Sequence, residues 1–185
     1  MPFGRKPAKP RPMLNEAGLF DYAVKALGRR MRTEAELRRL MKTRMEPDGR
    51  GEVAIAAVVA RLKDYGYLND AVFAEAYARL RQENQKLGVR RVRRDLEQKG
   101  VEKELIAETL EARYEQTNEE ALVREHLERK RIRKPENSKE TVRVMRRLVL
   151  AGFSTEAIAK TLRQWNVPEE SLAGLENPDD QGADE

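Results

Sequence analysis

Cysteine is absent from the chain, histidine occurs once, and aromatic residues make up only 5% of it. Without thiols there is no disulfide and no thiolate-ligated metal, which fits a reducing compartment and leads us to expect a cytoplasmic protein. Long apolar runs are missing as well. The longest, Val53–Ala60, has eight residues, whereas a membrane span needs roughly 20. The basic first residues lead into no apolar segment, so no secretory signal is expected. Neither a GxxxxGK[ST] phosphate loop nor an HExxH zinc motif occurs. Carboxylates fall mostly at helical spacing from Lys or Arg, as surface pairs do. The lone His126, between Glu125 and Glu128, reads as a helix-surface or interface residue. Neither an enzyme nor a bound cofactor is expected.

Charge is what the chain has in abundance. Of 185 residues, 37% are charged, and the net charge is +5. Residues 1–12 contribute four cations and no acid, and residues 169–185 contribute seven acids and no cation. Removing a +4 and a −7 segment from a chain of +5 leaves +8 on the body. Such a body attracts polyanions or an acidic protein surface, although cations that alternate with acids can equally form a solvated, ion-paired surface. The proline-rich start predicts a flexible basic arm over 1–14, and the Pro, Gly and acid mixture predicts a loose acidic tail over 168–185.

Between these ends, Leu, Ala, Glu, Arg and Lys dominate at helical period, and no window alternates as a strand does. Breaks at Pro47–Gly51, Gly66, Gly88, Gly100, Pro135 and Gly152 divide the body into about nine helices. Helix starts are signalled by Thr33 with Glu36, by Asn69, by Asn118, and by Ser138 or Ser154.

The helices repeat. Gly100-Val101 leading to Ile106, Thr109 and Leu110 matches Gly152-Phe153 leading to Ile158, Thr161 and Leu162 at an offset of 52. Val92 and Leu96 correspond at the same offset to Val144 and Leu148. Leu37 and Met41 repeat the spacing earlier, with Met45 in place of the glycine. We therefore expect an all-α chain of three tandem three-helix repeats at 15–66, 67–117 and 118–167. Units this small bury little apolar surface and should lean on their neighbours.

The middle helix of each expected repeat is thinly apolar and heavily basic. Val89, Val92 and Leu96 form one narrow stripe, surrounded by Arg90, Arg91, Arg93 and Arg94. Val142, Met145, Leu148 and Val149 form the next, beside Arg143, Arg146 and Arg147. Leu37 and Met41 are flanked by Arg38, Arg39 and Lys42. Arg39, Arg94 and Arg146 fall at one repeat position. Guanidinium is a planar, permanently charged fork that binds phosphate or carboxylate through two hydrogen bonds. These arginines, with Arg81 and Lys86 just before the second middle helix, are the candidate binding residues. The alternative is that nearby acids such as Glu97 and Glu140 pair with them. Trp165 and Tyr114 end comparable helices and read as packing residues. The run Arg129–Lys134 is expected to end a helix, where cations favour the macrodipole.

Tyr65-Gly66-Tyr67-Leu68-Asn69-Asp70, followed by Phe73, Tyr77, Arg79 and Arg81, then Lys86, Gly88, Arg91, Val92, Leu96, Lys99 and Gly100, resembles the signature of the RecX family. Upstream, Arg30, Thr33, Glu36, Leu37 and Met41 resemble that family's first-unit helix, so the likeness runs over about 30–166. Val89 stands where the family often has proline, and Met45 where it has glycine. The resemblance implies an elongated, curved array of three-helix units. It also implies binding to RecA and to the RecA–single-stranded DNA filament, with restraint of ATP hydrolysis and strand exchange in recombinational repair and the SOS response; a monomer is expected. No membrane partner is implied. Tyr67 and Leu68 are expected to pack between units, and Asn69 or Asp70 to cap the next helix. Phe73, Gly88, Leu96 and Gly100 are expected to be mainly structural. A sequence-tolerant DNA-binding protein built from helix-turn-helix-like modules is the alternative.

Overall fold

A computed structural model describes residues 13–45 and 50–172. Most of the expected basic arm and the acidic segment past Leu172 lie outside the described residues. All regular structure among the described residues is helical. In chain order the helices are α1 (Glu16–Leu27), α2 (Glu34–Lys42), α3 (Arg50–Asp64), α4 (Asp70–Glu83), α5 (Val89–Lys99), α6 (Lys103–Tyr114), α7 (Glu119–Arg129), α8 (Ser138–Leu150), α9 (Thr155–Gln164) and α10 (Glu169–Leu172). No described helix is long and apolar enough to cross a membrane.

Most helix starts are where side-chain chemistry puts them. Thr33, Asn118 and Ser154 accept from backbone N–H groups three residues on, and Asn69 accepts from Ala71 and Val72 at 3.0 and 3.1 Å. These bonds satisfy donors that a helix cannot satisfy itself. At α8 the cap is Asn137 rather than Ser138, accepting from the Glu140 N–H at 2.9 Å. Two further expectations are corrected. Helix α7 stops at Arg129, and Arg131 takes a left-handed φ of 52°, so Arg131–Lys134 leave the helix instead of ending it. The segment expected to be loose from Pro168 onward begins with α10, whose Leu172 is buried.

The chain divides into two units at Phe73/Ala74. In the first, α1 and α2 pack on α3 around Leu19, Ala23, Leu37, Met41, Ile55, Leu62 and Leu68. Each leucine or isoleucine buried here contributes about 1.5–3 kcal/mol. Asp70 is the second acceptor at the start of α2, taking the Glu34 N–H at 2.9 Å. Ion pairs from Lys63 at 2.5 Å and Arg38 at 2.7 Å then hold the Glu34 side chain. Burial pushes the Glu34 carboxyl up, but the two cations outweigh it and hold it below the usual carboxylate range.

The second unit contains the rest of α4 and α5–α10. Its main cluster, from α7 to α10, centres on Val123, Leu127, Leu148, Phe153, Ile158 and Leu162. Val92, Leu96, Val101, Ile106 and Leu110 of α5 and α6 are also buried. The apolar residues matched at an offset of 52 therefore share an inward direction. Gly100 and Gly152 both turn left-handed, at φ 79° and 92°. The N–H groups that follow them, of Val101 and Phe153, close back onto Leu96 and Leu148. Val142, expected within the apolar stripe of its helix, is instead 39% exposed; Thr141, Val144, Met145 and Leu148 face inward.

Candidate anion-binding face

α5 starts without a side-chain cap and with no acid in its first turn, although four arginines crowd residues 90–94. Donors at its start find partners in the two residues that follow α8. Gly88 N–H donates to the Ala151 carbonyl at 2.9 Å, and Arg90 N–H donates to the Gly152 carbonyl at 3.2 Å. The N-terminal end of α5 thus abuts the C-terminal end of α8, matching unsatisfied N–H groups with unsatisfied carbonyls and setting opposite dipole ends together. The approach is so close that a Cβ on Gly88 would fall on the Gly152 carbonyl, and one on Gly152 would fall on the Arg91 backbone. Only glycine fits at either position. This junction brings the cationic first turns of α5 against the cationic last turns of α8.

The arginines of the two helices divide by partner. Asp95, with 8% of its side chain exposed, accepts from Arg91 Nε at 2.9 Å and from the Tyr77 hydroxyl at 3.1 Å, and lies 3.6 Å from Arg81 Nε. Arg81 also donates to the Tyr77 hydroxyl at 2.5 Å, bonds Gln85, and lies over the Tyr77 ring. Burial pushes the Tyr77 hydroxyl above its ordinary pKa. Arg81 and Arg91 are therefore committed to a half-buried network that ties α4 to α5. Lys86 is committed too, pairing with Glu125 at 2.6 Å.

By contrast, Arg90, Arg93 and Arg94 on α5, and Arg143, Arg146 and Arg147 on α8, are exposed. None of these six makes an ion pair with a described residue. Arg94 only reaches back to the Arg90 carbonyl at 3.4 Å. Along α8, Lys139, Val142, Arg143, Arg146, Arg147 and Leu150 line a shallow groove of about 440 Å³. Val142 and Leu150 are its exposed apolar members. The groove's mixed character was not legible in the sequence, where Val142 looked like core. Arg39 belongs to the first unit, exposed on α2, with its Nε 3.2 Å from the Ala35 carbonyl.

The remaining residues singled out by sequence are mostly architectural. Leu68 joins the first core, Asn69 caps α4, Asp70 caps α2, and Phe73 and Leu96 are buried. Tyr67 is corrected: it is 57% exposed, meeting Tyr65 edge-on at 6.2 Å. Of the two readings of His126, helix surface or interface, the surface one is corrected, since the residue is buried. Its Nδ1 bonds the Lys86 carbonyl at 2.9 Å and its ring meets Phe153. Burial holds its pKa below the ordinary value, with Lys130 and Arg129 adding to the effect and backbone carbonyls opposing it. Tyr114 packs as expected and donates its hydroxyl to the Leu87 carbonyl at 3.0 Å; Trp165 packs on the same cluster. Among the described residues no group of acids and histidine is arranged to hold a metal.

A family model described as RecX, second three-helix domain, matches residues 69–110. The Regulatory protein RecX of Mycolicibacterium vanbaalenii is 37% identical over 129 residues, covering 68% of each chain. That of Mycolicibacterium smegmatis is 35% identical over 153 residues, covering 80% of this chain and 77% of that one. The chain spans 59% of the length of the Bacillus velezensis Regulatory protein RecX, which is 33% identical over 160 residues. Two solved structures share the fold. A crystal structure of regulatory protein RecX has a TM-score of 0.66 at 19% identity, covering 80% of this chain and 73% of that one. One from Lactobacillus salivarius has a TM-score of 0.60 at 20% identity, covering 82% and 96%.

Proposed function

The chain belongs to the RecX family of regulatory proteins, and from that premise we propose that it binds RecA and the RecA–single-stranded DNA filament and restrains strand exchange and ATP hydrolysis. One observation carries this reading. Six exposed guanidiniums without described ion-pair partners sit on two helices that meet end to end. Arg90, in the first turn of α5, opposes the helix dipole at a cost of about 0.3–1 kcal/mol. Exposed cations left without described acids fit a task outside the fold, such as meeting phosphates or partner carboxylates.

The repeated positions fit a polymeric partner. We divide the body into three-helix repeats at 15–66, 67–117 and 118–167, each offering an arginine at the place of Arg39, Arg94 or Arg146. Several weak contacts along one filament reinforce one another through effective concentration. Arg90, Arg93, Arg94, Arg143, Arg146 and Arg147 are the principal contacts in this reading, while Arg81, Arg91 and Lys86 hold the scaffold.

The test is DNA-dependent ATP hydrolysis by RecA, titrated with this protein. Suppression at substoichiometric amounts is expected; unchanged hydrolysis across the full titration removes the reading. Replacing Arg39, Arg94 and Arg146 together by Glu should abolish filament binding at unchanged helicity. The same cations suit naked DNA, and that alternative predicts a steep salt dependence without RecA. With 6–10 phosphate contacts, affinity falls roughly 10³–10⁵-fold between 50 and 200 mM salt.

A further inference from the structure

The α8 face is cationic and apolar at once, and that combination selects its occupant. Lys139, Arg143, Arg146 and Arg147 make no ion pair with a described residue. Between them Val142 and Leu150 are 39% and 60% exposed. A bare phosphate chain would answer the charges and leave both aliphatic side chains in water. A peptide bearing several carboxylates and an aliphatic residue answers both demands.

Such a peptide is attached to this face. Residues 173–185, outside the described structure, contain Leu175, Glu176, Asp179, Asp180, Asp184 and Glu185 and no cation. Their point of departure is fixed. Leu172 of α10 is buried in the cluster that includes α8, and the Ser171 hydroxyl lies 3.2 Å from that of Ser138, the first residue of α8. The segment therefore leaves the fold at the N-terminal end of the groove. Helix α8 has 13 residues, about 20 Å of length; thirteen extended residues reach about 43–47 Å. The tether is long enough to run the whole groove and short enough to hold its carboxylates at millimolar effective concentration.

We infer that the acidic segment 173–185 docks along α8, with Leu175 against Val142 and its carboxylates on Lys139, Arg143, Arg146 and Arg147. The docking stands independently of any partner. Its regulatory consequence rests on the function proposed above: the segment competes with the filament for the α8 cations, and the protein opens when the filament displaces it.

The experiment compares the full chain with a full-length variant carrying Glu176→Gln, Asp179→Asn, Asp180→Asn, Asp184→Asn and Glu185→Gln. In ¹⁵N-correlated NMR spectra at 50 mM NaCl, the amides of 139–150 should shift between the two proteins, independently of protein concentration, and the difference should collapse at 500 mM NaCl. Superimposable α8 resonances at low salt overturn the docking. Shifts that grow with protein concentration also overturn it, by assigning the contact to a second copy. Affinity for a RecA filament on oligo(dT) is measured in parallel. An open fraction of about 0.1–0.5 in the wild type predicts a gain of roughly two- to tenfold for the variant. Shifted α8 amides with unchanged filament affinity leave the docking in place and refute the competition, placing filament contacts elsewhere.

Discussion

Substituting Gly88 by alanine tests the junction that sets α5 against α8. The new Cβ would lie within 2.7 Å of the Phe153 nitrogen and closer still to the Gly152 carbonyl. All three neighbours are backbone atoms, so no side chain can swing away to make room. Overpacking of this kind costs about 1–3 kcal/mol. Moving the backbones apart also stretches the Gly88–Ala151 and Arg90–Gly152 hydrogen bonds, worth about 0.5–1.5 kcal/mol each. With partial relief of one by the other, we expect a loss of about 2–4 kcal/mol. At roughly 2–4 °C per kcal/mol for a chain of this size, the midpoint falls by about 5–15 °C. Trp165, the only tryptophan, packs on the second unit's core and reports its unfolding by fluorescence. The control is Gly28→Ala, whose Cβ meets nothing nearer than the Val24 carbonyl at 3.5 Å and should be neutral or stabilising by up to about 1 kcal/mol. If the two variants melt alike, the close approach does not constrain position 88 and the junction is not tight.

Three other outcomes are expected. Asp70→Ala removes the acceptor of the Glu34 N–H and should lower urea-unfolding stability by about 0.5–2 kcal/mol, an effect not reproduced by alanine at exposed Glu75. Asp95→Asn leaves Arg91 and Arg81 without their carboxylate; because both guanidiniums are partly solvated, we expect a loss of about 1–3 kcal/mol rather than the full penalty of a buried broken pair. His126 has a folded pKa below its unfolded value near 6.5, so the unfolded state binds the proton first. Its contribution is complete above pH 6.5 and is lost as pH falls toward the folded pKa, by at most about 1.4 kcal/mol per pH unit. Between pH 7.5 and 5 the unfolding free energy of the wild type should fall relative to that of His126→Gln, and parallel curves would refute that assignment.

The helices and their inward faces were legible because both depend on local signals. Thr33, Asn69, Asn118 and Ser154 announce caps through short side-chain acceptors, and Leu37, Val92 and Leu148 announce burial through periodicity. Partner choice over long separations was not legible. Nothing local says that Asp70 caps α2 as well as belonging to α4, or that Tyr77 and Arg81 converge on Asp95. Arg81, Arg91 and Arg94 look alike in sequence, and only the position of one buried carboxylate distinguishes scaffold from free cation. His126 looked like a surface residue because charged neighbours surround it in sequence. Its ring nevertheless points inward from α7 to Lys86 and Phe153.

The repeat register makes that carboxylate informative in a second way. At an offset of 52, Arg91 corresponds to Arg143, and Asp95 corresponds to Arg147. On α5 the pair one turn apart is an ion pair at 2.9 Å. On α8 the same two positions carry two cations, and neither pairs with a described acid. Tyr77 and Arg81, which surround Asp95, correspond to Arg129 and Arg133, so the equivalent positions add cations and no acceptor. The later helix has thus exchanged its internal acceptor for another donor. Like charges one turn apart disfavour a helix by about 0.2–0.5 kcal/mol, and α8 tolerates this because Val144, Met145 and Leu148 anchor it to the core. Stability alone would favour an acid at 147. Arginine there, beside exposed Val142 and Leu150, makes α8 the place where an acidic partner would gain most.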